Sequence, residues 1–162
     1  MPYILCVYYS RTGNTEKVVK EIARELRCEC VKLDDGVDRS GRGGWLRSGM
    51  QAMAKQVPEV REIKTVLPLS AYDLVVIGTP VWAGRCSAPV RSFLKKYGGQ
   101  LRRVAYLITR GSDVPYKEVF DQMDLYVSSP RVHAVSIRPQ SVGSTFWRDA
   151  FLSAIRNGGK ER

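Results

Sequence analysis

The chain has 162 residues, 44% of them apolar, and carries 26 Lys and Arg against 16 Asp and Glu for a formal charge of +10. That length supports one domain with a substantial core, taken as residues 1–162 with a flexible basic tail over 158–162, and is too short for two. No apolar stretch approaches the roughly 20 residues that span a bilayer. The basic residues are scattered rather than joined to aromatics in a recognition module, which speaks against nucleic-acid binding.

Met1–Ser10 enters an apolar run with no basic segment or cleavage site ahead of it, so a cytoplasmic location without a signal peptide is expected. Tyr3–Tyr9 reads as a strand buried on both faces. Thr15–Arg27 reads as a helix, with Val18, Val19, Ile22, Ala23 and Leu26 on one face and charges opposite. Cys30–Leu33 is a short strand carrying Lys32. Cys28 and Cys30 form a Cys-x-Cys pair without the second cluster of a zinc site; together with Cys6 they read as reduced thiols.

Gly41-Arg42-Gly43-Gly44-Trp45 precedes a weaker helix, Trp45–Val57, whose apolar face is Leu46, Met50, Met53 and Val57 and which Pro58 ends. Leu46 stands where a dinucleotide fingerprint needs its last glycine, so the segment reads as a flexible lid or helix entry. Trp45 is either a cover for a ligand or partner surface, or a core side chain. The polar loop Pro58–Tyr72 carries no assigned role.

Leu74–Ile77 is a second buried strand. Ser87–Tyr97 is a helix with Ser87 as cap, Pro89 in its first turn and Gly98 as its stop. Val104–Ile108 is a third buried strand, and Tyr116–Leu125 is a helix inward at Val119, Phe120 and Met123. Val132–Ile137 is a strand containing His133, the only histidine. Ser144–Arg156 is a helix with Trp147, Ala150, Phe151, Ala154 and Ile155 inward.

Strand and helix therefore alternate five times, which implies a parallel sheet with helices on both faces. The three greasiest strands belong at the centre, and those with Lys32 and His133 at the edges. The doubly wound order 2-1-3-4-5 satisfies this and places ligands beyond the carboxyl ends of the central strands.

Three loops follow those strands. Ser10-Arg11-Thr12-Gly13-Asn14-Thr15 brings hydroxyls, amides and a helix N-terminus to one small volume suited to a phosphate monoester, with Gly13 allowing a close turn; it lacks the Gly-Lys-Ser/Thr of a triphosphate loop. Thr79-Pro80-Val81-Trp82-Ala83-Gly84 places an indole at a strand end, where it offers a flat wall to an aromatic ligand. Thr109-Arg110-Gly111-Ser112-Asp113 offers amides and one cation. A phosphate cradle, a stacking wall and amides for a polar ring edge together describe a site for flavin mononucleotide (FMN).

The motifs Tyr9–Thr15 and Asp73–Gly84 resemble the phosphate loop and the second, flavin-contacting loop of the flavodoxin-like family, and the resemblance spans nearly the whole chain. It implies an α/β three-layer sandwich holding one FMN. By that resemblance Ser10, Thr12, Asn14 and Thr15 bind the phosphate, Trp82 flanks the isoalloxazine, Ala83 and Gly84 lie near flavin N5, and Thr109–Ser112 lies beside the pyrimidine end.

It also implies electron transfer between redox partner proteins, or else NAD(P)H-dependent reduction of a quinone-like acceptor. The chain departs from acidic electron carriers in its positive charge, which suits an acidic partner. Arg110, if it points inward, stabilises reduced flavin; the alternative is an outward, solvated arginine. Cys86 is a small residue at a helix start or a reactive thiol.

Overall fold

The computed structural model describes residues 2–36, 41–53 and 60–158, and only the backbone of residues 42 and 51–53. Along the chain come β1 (Ile4–Tyr8), α1 (Asn14–Leu26), β2 (Glu29–Lys32), α2 (Gly41–Met53), β3 (Leu74–Trp82), β4 (Arg85–Cys86), α3 (Ala88–Tyr97), β5 (Val104–Thr109), α4 (Glu118–Asp124), β6 (His133–Ile137) and α5 (Ser144–Asn157). Five of the strands pair in parallel in the order β2-β1-β3-β5-β6, and β4 is attached antiparallel to β3. With β4 set apart, this is the doubly wound order expected from the polarity of the strands.

Side chains alternate across a strand, so each buried strand feeds two cores. Leu5, Val7, Tyr9, Val75, Ile77, Tyr106 and Ile108 pack under α3 and α4 with Val90, Phe93, Leu94, Val119, Phe120 and Met123. Cys6, Tyr8, Val76, Ala105, Leu107 and Val135 pack under α1 and α5 with Val18, Val19, Ile22, Phe151, Leu152 and Ile155. Each fully buried aliphatic chain contributes about 1.5–3 kcal/mol. Gly78 sits where α1 comes closest to the sheet: a Cβ there would lie 2.4 Å from Val19 Cγ2 and 3.2 Å from Tyr8 Cβ.

Four expectations are corrected. The third strand does not stop at Ile77 but continues to Trp82, then turns back through Ala83 (φ 49) and Gly84 (φ 74) into β4, pairing Val81 with Cys86 and Trp82 with Arg85. Positive φ at both central residues is the signature of a type I′ hairpin, whose twist matches that of its strands.

The last helix turns differently from its expected face. Phe151, Leu152 and Ile155 are buried, whereas Trp147 and Ala150 are exposed. Its first turns are held by the ion pair of Arg148 with Glu21 of α1, at 2.6 Å, and Trp147 instead meets Phe146 edge-on at 5.3 Å.

The second helix begins at Gly41, and Leu46 and Met50 are exposed rather than buried. Among its described residues the buried ones are the small Gly44 and Ser48, the hydroxyl of Ser48 donating to the Gly44 carbonyl at 2.8 Å. The side chain of Met53, together with Val57 and Pro58, lies outside what is described.

The helix expected over Tyr116–Leu125 is shorter, Glu118–Asp124, and Leu125 is exposed. Val119, Phe120 and Met123 are buried as expected. Gly158 closes α5 through its N–H to the Ala154 carbonyl at 2.9 Å, and the tail over 159–162 lies outside the described residues. Among the described residues, no helix is long and apolar enough to cross a membrane.

Candidate functional site

Because β1, β3 and β5 are neighbours, the loops leaving their carboxyl ends meet. Between them lies a cleft of about 240 Å³, lined by Ser10, Arg11, Thr12, Asn14 and Thr15 from the first loop, Pro80, Val81 and Trp82 from the second, and Thr109, Arg110 and Gly111 from the third. Trp45 of α2 and Pro139, beyond β6, complete the wall.

The first loop is built to present amides. Gly13 caps α1 in the left-handed region (φ 96), where a side chain is strained even though a Cβ there would meet nothing within 4 Å. Its N–H donates to Ser10 Oγ at 3.0 Å, folding the loop on itself. No side chain caps α1, and the N–H groups of a first helical turn have no partner within the helix. With the helix dipole they favour an anion.

Glu16, the one acid of that turn, is engaged away from the cleft. The Tyr8 hydroxyl donates to it at 2.7 Å, with Lys20 and Lys32 nearby. The Tyr8 hydrogen bond first, and the lysines after it, hold its carboxyl below the usual range.

The loops are locked together by buried hydroxyls. Thr15 Oγ1 and Thr109 Oγ1 lie 2.7 Å apart, tying the start of α1 to the end of β5. Thr79 is fully buried behind the cleft and does not line it. Its Oγ1 accepts the Ser87 N–H at 2.9 Å, and its single proton has Pro80 O at 2.9 Å and Ser87 Oγ at 3.1 Å within reach, which fixes the hairpin to the start of α3. Ser87 stands at the cap position of α3 as expected but makes no side-chain cap bond.

Trp82, expected as a flat wall rather than a core side chain, is both. It is 7% exposed, belongs to the core under α3 and α4, and meets Tyr9 edge-to-face at 5.4 Å while lining the cleft. The extension of β3 and its return as β4 carry the indole inward. Trp45, left open between lid and core, is 65% exposed at the cleft mouth.

Gly13, Ala83, Gly84 and Ser112 are not part of the lining. Gly13 shapes the first loop, Ala83 and Gly84 form the hairpin tip, and Ser112 supports Arg110. The Arg110 guanidinium is held in place: Nε donates to Ser136 Oγ at 2.8 Å and Nη1 to the Ser112 carbonyl at 2.6 Å. It is partly buried at the cleft, not outward and solvated.

Cys86 is buried, and burial pushes its thiol up to about 11, overriding the nearby Arg91 and Arg85. That opposes a reactive role. Pro139 was not foreseen; the signal was available, since it follows the strand beside β5 and so reaches the same edge of the sheet. His133 lies on edge strand β6, away from the lining.

No family model matches the chain. Among curated proteins, the NAD(P)H dehydrogenase (quinone) of Paraburkholderia phymatum is 31% identical over 106 residues, 65% of this chain and 51% of that protein. The chain spans about half the length of the curated relatives it matches. Among solved structures, a Lactobacillus acidophilus flavoprotein in complex with FMN matches with TM-score 0.69 and 20% identity, over 91% of this chain and 99% of its own. Oxidised flavodoxin 2 of Bacillus cereus matches with TM-score 0.59 and 16% identity, over 96% and 99%. The chain has the flavodoxin-like fold.

Proposed function

We propose that this chain of flavodoxin-like fold binds one FMN noncovalently in the cleft and carries electrons between redox partner proteins. The observation that carries the reading is the meeting of an uncapped helix start, two tryptophans and a fixed arginine in one cleft. The groups present suit FMN. The amides and hydroxyls of Ser10, Thr12, Asn14 and Thr15 match a phosphate monoester. Trp45 and Trp82 offer aromatic surface to a ring. The backbone of Thr109–Ser112 and the cation of Arg110 suit its polar edge, and the Ala83–Gly84 tip stands next to Trp82. FMN supplies one- and two-electron chemistry; the protein supplies binding, orientation and electrostatics.

The surface supports an acidic partner. At +10 the chain attracts anionic surfaces at long range, and such association weakens as salt screens it.

A second reading is favoured by the curated relatives, which are NAD(P)H dehydrogenases (quinone). In it the same cleft serves an enzyme that passes electrons from a reduced nicotinamide to a quinone-like acceptor. Purification tests both. A yellow protein that releases FMN on denaturation supports the cofactor, and a colourless protein that takes up no FMN refutes it. Bleaching by NADH or NADPH alone, with turnover of a quinone, selects the enzyme; no bleaching until a reducing protein is added selects the carrier.

A further inference from the structure

We propose that Cys6 and Cys28 form a dithiol that a hydroperoxide closes into a disulfide, a modification site separate from the cleft. Their Sγ atoms lie 3.6 Å apart, in hydrogen-bond contact. Cys6 is fully buried in the middle of β1. Cys28 stands at the exit from α1, where Arg27 takes a left-handed conformation (φ 52) and turns the chain towards β2. Its N–H donates to the Ala23 carbonyl at 3.0 Å, which holds it over β1.

Cys30, two residues on, pairs with Cys6 in strand register and packs against the same core beneath α1. The sulfur in hydrogen-bond contact with Cys6 is nevertheless that of Cys28. Cys28 is also partly exposed whereas Cys6 is buried, so an oxidant meets Cys28 before Cys6. The hydrogen bond with Cys6 keeps the Cys28 thiol below its ordinary range, whereas burial pushes Cys30 up to about 11. Cys28 is therefore the attacking thiol and Cys6 the resolving one.

The chemistry balances with a hydroperoxide as the named oxidant. The Cys28 thiolate attacks one peroxide oxygen, the O–O bond breaks, and the departing oxygen leaves as water or alcohol after taking a proton. The Cys6 sulfur then attacks the sulfenic sulfur of Cys28. An S–S bond forms, the S–O bond breaks, and water leaves with the proton from Cys6. Two thiols lose two electrons and the peroxide gains them. Closure draws the sulfurs from 3.6 Å to the S–S bond length of about 2.05 Å. Cys6 lies four residues before Ser10, about 13 Å along the strand at about 3.3 Å per residue, so the pair works apart from anything bound in the cleft.

The test is to treat the reduced full-length protein with hydrogen peroxide and map it by mass spectrometry without reduction. The expected result is a loss of two hydrogens, a fall from four free thiols to two, and a peptide joining Cys6 to Cys28. The Cys28→Ser protein keeps all its remaining thiols under the same treatment. Oxygen added to Cys28 without a cross-link, a bridge that uses Cys30 or Cys86, no reaction at all, or thiol loss in Cys28→Ser would each overturn the proposal. None of these readouts depends on flavin.

Discussion

Thr15 and Thr109, 94 positions apart in the chain, share a hydroxyl–hydroxyl bond of 2.7 Å with both residues buried. The bond joins the loop assigned to the phosphate with the loop assigned to the ring edge. Thr109→Val keeps the shape but strands the Thr15 hydroxyl, so it is expected to lower stability by about 1–3 kcal/mol. The Thr15→Val, Thr109→Val double variant is expected to recover much of that loss, because two apolar partners leave nothing unpaired. Urea denaturation of the parent protein, of Thr15→Val and Thr109→Val singly, and of the double variant measures the coupling.

Gly78 tests how closely α1 sits on the sheet. A methyl group there meets Val19 Cγ2 at 2.4 Å, and both Val19 and Tyr8 are buried. Gly78→Ala is expected to cost about 1–3 kcal/mol, as overpacking generally does. Gly43→Ala, where a Cβ meets nothing within 4 Å, is the control and should leave the denaturation midpoint unchanged or raise it.

The two tryptophans of the cleft should separate binding from stability. Trp45 is exposed, so Trp45→Ala is expected to weaken FMN binding while leaving the denaturation midpoint nearly unmoved. Trp82 is core, so Trp82→Ala is expected to cost about 3–5 kcal/mol of stability as well. Flavin titration and thermal melts of both variants check this.

Arg110 is fixed at the cleft by Ser136 and the Ser112 carbonyl. A cation there favours the more negative, reduced flavin. If that contact is worth about 1.5–3 kcal/mol, Arg110→Ala is expected to lower the two-electron midpoint by roughly 30–60 mV. Spectroelectrochemical titration measures it, and an unchanged midpoint would remove Arg110 from the redox site.

The thiols carry a pH dependence. Burial raises Cys30 and Cys86 from an ordinary value near 9 to about 11, while Cys28 is lowered. Alkylation at neutral pH is therefore expected to label Cys28 first, with Cys30 following as pH rises and Cys86 reacting only on unfolding. A raised folded-state value contributes stability that is complete below the unfolded value and lost as pH climbs through the folded one. The melting temperature should accordingly fall between about pH 9 and pH 11.

Much of this arrangement was legible in the sequence because it follows from periodicity and polarity. The runs around Val7, Val76 and Leu107 could only be central strands, and Lys32 and His133 marked the edges. The three loops of the cleft then followed from strand order. What escaped depended on tertiary contact. The β3–β4 hairpin at Ala83–Gly84 has no Asn-Gly signal, and it is this hairpin that carries Trp82 inward.

The outward turn of Trp147 rests on the pairing of Arg148 with Glu21, 127 positions away, which no local pattern discloses. The exposure of Leu46 and Met50 reflects a helix that rests on small residues, Gly44 and Ser48, where hydrophobic periodicity looks for large ones. The 3.6 Å meeting of Cys6 and Cys28 was likewise hidden, since in sequence Cys28 and Cys30 looked like the pair.

The most direct measurement is a titration of the flavin-free protein with FMN and, separately, with riboflavin, followed by quenching of flavin fluorescence. If the loop from Ser10 to Thr15 grips the phosphate through at least two charge-assisted bonds of about 1.5–3 kcal/mol each, FMN should bind one to one and about 100-fold or more tighter than riboflavin. Equal affinity for the two, or no quenching by either, would contradict the assignment of the cleft.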